Sequence, residues 1–327
     1  MRIIFIPQFP AKLRYSEWWF TEFPKQFRER GFEVLTLGEK YVELIQHRRS
    51  TLDMFSPINQ AIEFETEQIK EYMMLDIQDD DILFLADISF PGFFANTLYH
   101  KQCSKMYAFC HATSLNKYDY FTSVSYSKFQ VESSHAYLFD SIFVGSKYHE
   151  EKLQIVNHVS WGNTKVTYLP FSPISLFPEP PLKKTIDIMS ASRPSVQKVD
   201  TLLENFIEKE LGIEIQRPIS NSWGEYFRNL QKSKVLLITA FEDTFGYQIV
   251  DAVTNNCIPL ARTSFAYPEL LERDYLYANK HELVTKLEFL LALEEQPQIP
   301  RLICEEHMKR FYDVICSEMK GEKEYPF

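Results

Sequence analysis

A chain of 327 residues and 38.7 kDa is about twice the usual single-domain length, so two packed domains are expected. With 45% hydrophobic and 24% charged residues it lies near the globular average, which excludes the disordered and fibrous classes. A net charge of −10, with neither half of the chain basic, opposes broad non-specific attraction to nucleic acid or anionic membrane.

The chain opens on RIIFIP, an apolar run of the kind a buried parallel strand shows. A helical stretch within SEWWFTEFPKQFRER follows, Gly31 supplies its stop, and FEVLTL is a second strand. The pattern recurs with a helix around 57–75, strand DILFLAD, strand MYAFCHA, and then SIFVGS and KVTYLPF. A proline cluster over 171–184 reads as a linker between domains. Alternation restarts with strand TIDIMSAS, helix VDTLLENFIEKEL, strand IEIQRPI, helix WGEYFRNLQKS, strand KVLLITA, helix YQIVDAVTNN, strand CIPLAR and a helix near 281–294. The last segment, EEHMKRFYDVICSEM, has apolar residues at 308, 311, 312 and 315, the spacing of one amphipathic helix. Strands separated by helices predict an α/β chain of two Rossmann-like, doubly wound domains, residues 1–170 and 185–304, facing a cleft.

No run approaches eighteen apolar residues and no signal-peptide pattern opens the chain, so a cytoplasmic protein without stable membrane association is expected. Five scattered cysteines without a CxxC pair predict buried thiols rather than a disulfide framework or a zinc site. GxGxxG, Walker, HExxH and GxSxG motifs are all absent. Asp79, Asp80 and Asp81 precede a strand, at the end of the sheet away from ligands, and read as a solvated loop.

Chemistry concentrates in KVLLITAFEDTFGYQIVD. A strand ends, Gly246 lets a ligand approach the backbone, and the helix beginning near Tyr247 offers unpaired N–H groups to a phosphate. Asp243 and Asp251 reach the same pocket from two levels, and beside a phosphate site such carboxylates suit sugar or ribose hydroxyls. The pair also reads as a helix cap and a solvated side chain. After strand TIDIMSAS, Arg193 and Lys198 stand where a diphosphate would sit and can neutralise it without metal, although such a pair is often simply solvated. Tyr15, Trp18 and Trp19, with Arg14 beside them, follow the first strand; they read either as stacking surface for a sugar or base, or as helix core.

Together these segments resemble GT-B glycosyltransferases, and most of all the retaining enzymes of family 4. The resemblance is carried by SRPSVQK, DTFGYQIVD, CIPLARTSFAYPELL, SIFVGSKYHEEKL and EEHMKRFYDVICSEM, in that family's order over roughly residues 80–320. It implies an N-terminal acceptor domain, a C-terminal donor domain, and a last helix, about 305–320, that returns to the first. It implies a nucleotide-diphosphate sugar as donor, with no further cofactor, and transfer to a hydroxyl with retention. Arg193 and Lys198 would bind the diphosphate and Asp251 the ribose. Asp243 and the Phe245-Gly246-Tyr247 backbone would position the sugar, with His111 facing it. Both acids are aspartates where the family has glutamates. The acceptor is either a saccharide or a modified nucleic-acid base. A nucleotide-sugar epimerase of the same shape and an inactive scaffold are the competing expectations.

Overall fold

The computed structural model describes residues 1–42, 58–116, 125–155, 161–174, 182–191, 199–293 and 298–322. Arg193 and Lys198 lie outside the described residues.

The first unit runs β1 (Arg2–Ile6), α1 (Tyr15–Glu29), β2 (Glu33–Thr36), α2 (Ile58–Met74), β3 (Ile82–Leu85), α3 (Phe94–Thr97), β4 (Lys105–Cys110), α4 (Ser125–Ala136), β5 (Ser141–Val144), α5 (Lys147–Ile155) and β6 (Thr164–Val166). Its six strands form one parallel sheet in the order β2-β1-β3-β4-β5-β6. β1 shows why such a strand reads as an unbroken apolar run. Ile3 and Phe5 join one buried cluster with Trp19, Phe23 and Phe27, while Ile4 and Ile6 join another with Leu83, Leu85 and Ile142. α1 ends where Gly31, at φ +88°, donates its N–H to the Arg28 carbonyl.

The second unit runs β7 (Ile186–Met189), α6 (Thr201–Leu211), β8 (Ile215–Gln216), α7 (Trp223–Lys232), β9 (Ser233–Leu237), α8 (Tyr247–Thr254), β10 (Ile258–Arg262), α9 (Tyr267–Leu270), β11 (Leu276–Tyr277) and α10 (Lys280–Ala292). Its parallel sheet has the order β11-β10-β9-β7-β8. Two helices close the chain, α11 (Glu305–Lys309) and α12 (Phe311–Lys320), broken at Arg310 where the spacing predicted one continuous helix. α12 packs on the first sheet: the Phe311 and Tyr312 rings lie 5.7 and 5.2 Å from Phe23, and Glu318 accepts from Ser141 at 2.8 Å and Lys165 at 2.5 Å.

All five cysteines are buried and carry no disulfide. Asp79 and Asp80 are exposed, but Asp81 is not solvated as the sequence suggested. It is buried and takes two hydrogen bonds from Arg2, a partner 79 positions away that no local pattern reveals.

Candidate functional site

The C-terminal ends of both sets of strands face each other. On the side of the second sheet, Gly246 is the N-cap of α8 in a left-handed conformation, φ +102° and ψ 55°. A Cβ at that position would stand 3.0 and 3.2 Å from the Tyr267 ring, so glycine is required on two counts. Asp243, three residues earlier, is half-buried, and its Oδ1 lies 3.5 Å from the Phe245 nitrogen. Asp251 sits in the second turn of α8, 7% exposed, and accepts one hydrogen bond from the Tyr226 hydroxyl at 3.2 Å. Burial pushes its carboxyl up to about 7, against the lowering effect of that hydrogen bond.

Several polar groups around the second sheet's strand ends are already paired, although Arg262 Nε and the Tyr267 hydroxyl are enclosed with no partner among the described residues. Ser190 and Thr239 donate to Glu204 Oε1 at 2.9 and 3.1 Å, Arg217 grips the same carboxylate through two nitrogens, and Arg262 pairs with Asp200 at 2.5 Å.

On the side of the first sheet, His111 follows β4 directly. Its ring stacks on Tyr15 at 4.4 Å and meets Trp19 and Phe109, each at 4.6 Å. Burial, with His149 nearby, drives its pKa down to about 3, so the ring is neutral, and its Nε2 is enclosed with no partner among the described residues. Trp19 Nε1 lies 3.4 Å from the Tyr247 hydroxyl, which donates to the Pro170 carbonyl at 3.1 Å, and the Tyr15 ring stacks 6.1 Å from Tyr247. The fold thus gathers Tyr15, Trp18, Trp19, His111 and Tyr247 at one place between the sheets. Trp18 and Trp19 are only 5% and 2% exposed, so of their two sequence readings the core describes this conformation; Tyr15 is partly exposed, and Arg14 is the N-cap of α1.

A polar clasp beside Asp243 had no sequence signal. Glu242, buried, accepts from Asn116 Nδ2 at 3.0 Å, from the Tyr148 hydroxyl at 3.1 Å, and from Lys152 Nζ. Glu269, on α9, takes the backbone N–H groups of Lys147 and Tyr148, both at 2.8 Å, and so caps α5 from the opposite sheet. Ser146 Oγ donates to the Thr244 carbonyl at 2.5 Å, and across the cleft's other end Trp223 Nε1 donates to Glu17 at 2.9 Å. Lys152→Met takes a cation away from a buried carboxylate, and breaking a buried pair costs about 3–5 kcal/mol. The expected result is a lower melting temperature and a larger radius of gyration in solution scattering. If both stay at wild-type values, the clasp does not hold the cleft shut.

No protein-family model matches the chain. Solved structures do match it along nearly its whole length. The Anabaena protein HepE, crystallised with UDP and glucose, superposes at TM-score 0.64 with 14% identity, covering 98% of this chain and 95% of its own. Sucrose-phosphate synthase from Thermosynechococcus elongatus gives 0.63 and 14%, covering 98% of each chain. The lipopolysaccharide outer core galactosyltransferase WaaB gives 0.60 and 14%, also covering 98% of each. The fold is GT-B. In GT-B terms the cleft between the two Rossmann-like units is the place just described, with Asp243, Gly246 and Asp251 on one wall and His111 on the other. Among the described residues no group of three His, Cys, Asp or Glu side chains gathers as metal ligands, and no helix is long and apolar enough to cross a membrane.

Proposed function

We propose that this chain is a retaining glycosyltransferase that moves a sugar from a nucleotide-diphosphate donor to a hydroxyl acceptor without a metal ion. The observation that carries the reading is the left-handed Gly246 opening α8 between Asp243 and Asp251, directly across the cleft from a neutral, buried His111. The UDP and glucose held by HepE, and the sugar-transferring names of the other matched structures, support a nucleotide sugar as the ligand of such a cleft.

In this reading the departing diphosphate meets Arg193, Lys198 and the first turn of α8, and stabilising its charge supplies the largest part of the rate. Asp251 holds the ribose hydroxyls. Asp243 and the backbone from Phe245 to Tyr247 hold the transferred sugar. His111 orients that sugar from the other wall; it does not attack, and the acceptor enters on the face the diphosphate leaves, which helps take its proton. What supports a saccharide rather than a modified nucleic-acid base as acceptor is the commitment of Trp18 and Trp19 to the core, together with the net charge of −10. Incubation with a panel of nucleotide sugars and simple saccharides tests the reading: a product whose anomeric configuration by NMR matches the donor supports it, and inversion contradicts it.

Because two cations and a helix end supply the positive charge, activity is expected to persist in excess chelator. The assay compares rates with chelator alone and after adding back magnesium; complete loss that magnesium restores contradicts the metal-free mechanism. One observation favours a second reading, a non-catalytic binding protein: Tyr15 stacks on His111 where the sugar is expected to lie. Donor hydrolysis or transfer rejects it.

A further inference from the structure

His149, the third residue of α5, is 1% exposed, and neither of its ring nitrogens has a hydrogen-bond partner among the described residues. Its backbone N–H is satisfied by Ser146 Oγ at 3.1 Å, so the side chain alone is left unmet. Native proteins leave few such groups, because each unmet buried donor or acceptor costs the desolvation it has undergone. The helix of His149 meets the loop that carries Asp243, since Tyr148 and Lys152 on either side of it both bond Glu242. Lys152 and Glu242 of the clasp act on the ring's charge, and the ring acts in turn on His111, whose Nε2 is also enclosed and unmet. Burial, reinforced by Lys152 and opposed by Glu242, takes the His149 pKa down to about 3, so this imidazole is neutral too.

His111 has a hydrogen bond to the Ala86 backbone and offers only its Nε2, while the neutral His149 ring offers one donor and one acceptor; neither carries charge. That set does not suit a phosphate or a carboxylate. It suits hydroxyls, which give and take a hydrogen bond together. We infer that His149 and His111 form a hydroxyl-binding pair for the transferred sugar, their unmet nitrogens being satisfied when the sugar enters between them and the loop carrying Asp243. This deepens the proposed function and rests on it. His149 is 1% exposed, so the sugar reaches it as the two walls part and close again.

His149→Phe keeps the ring and removes both nitrogens. The ligand-free variant is expected to melt no lower than wild type, since it loses only unmet polar groups. Calorimetry should find its affinity for UDP, ADP, GDP and dTDP within about twofold of wild type. The extra affinity for the matching nucleotide hexose over its free diphosphate should fall about tenfold, as for the loss of one or two hydrogen bonds, and kcat/KM for donor hydrolysis should fall with it. His149→Gln, which keeps a donor and an acceptor, should retain part of both. A Phe variant that melts well below wild type or fails to fold would mark the nitrogens as already satisfied by structural water, and a Gln variant as impaired as Phe would deny the hydrogen bonds; either overturns the inference. Wild-type protein that binds no nucleotide hexose overturns the proposed function and this pair with it. Wild-type binding matched by the Phe variant overturns the pair alone.

Discussion

Asp251→Asn is expected to give a more stable protein at pH 8 that binds nucleotide diphosphate less well. The carboxyl is held at about 7 by burial, above its ordinary 3.8. A raised carboxyl pKa means that the folded chain keeps a proton the unfolded chain has released, so this group's contribution is most favourable below about pH 4 and is lost as pH rises through 7. At pH 8 the buried charge therefore costs a few kcal/mol, on the scale of about 1.4 kcal/mol per unit, and a neutral Asn removes that cost. At pH 5 the folded carboxyl is protonated but the unfolded one is already ionised, so the variant's advantage should shrink to about a third of its size at pH 8, and it should vanish below about pH 4. Function runs the other way: loss of the charged acceptor for ribose hydroxyls should weaken nucleotide diphosphate about tenfold or more. Asp243→Asn should separate from it, impairing transfer while leaving diphosphate binding nearly intact, because Asp243 stands in the loop before α8 and not inside the helix. Unfolding curves at the two pH values and calorimetry check both variants. An Asp251→Asn protein that is less stable at pH 8 and binds as before would make the residue a packing element.

Lys198→Ala should lower donor affinity or turnover about ten- to two-hundred-fold, the loss of a charge-assisted contact of about 1.5–3 kcal/mol. The second sheet's order reverses between β7 and β9, the point where such sheets take phosphate. The cations at the ends of β8 and β10 are already engaged, Arg217 by Glu204 and Arg262 by Asp200. In the proposed function the segment that follows β7 in the sequence, with Arg193 and Lys198, meets the diphosphate. Unchanged donor binding and rate would remove both residues from the site.

The sequence made most of the scaffold legible because parallel strands buried on both faces write unbroken apolar runs, and β1, β3, β4, β5 and β9 are such runs. It carried Gly246 and Asp251 because a strand end, a glycine and a helix start are local. β8 was overread: IEIQRPI suggested a longer strand, yet only Ile215 and Gln216 pair, and Arg217 turns to Glu204. The clasp and His149 were illegible for a different reason. Asn116 and Lys152 meet Glu242 across 126 and 90 positions of chain, and only the closing of the two sheets creates those contacts. Trp18 and Trp19 show the same limit, since an aromatic face on α1 is written identically whether it packs inward or stacks on a ligand.

The central claim, a nucleotide-sugar site between Asp251 and His111, is tested most directly by thermal unfolding against a panel of nucleotide diphosphates and their sugars, with Lys198→Ala beside wild type. A ligand at a hundred times its dissociation constant stabilises by about 2.7 kcal/mol. One nucleotide series is expected to raise the wild-type melting temperature, and the same ligands at the same concentration to raise it much less in Lys198→Ala. No shift with any member of the panel, or equal shifts in both proteins, would contradict the claim.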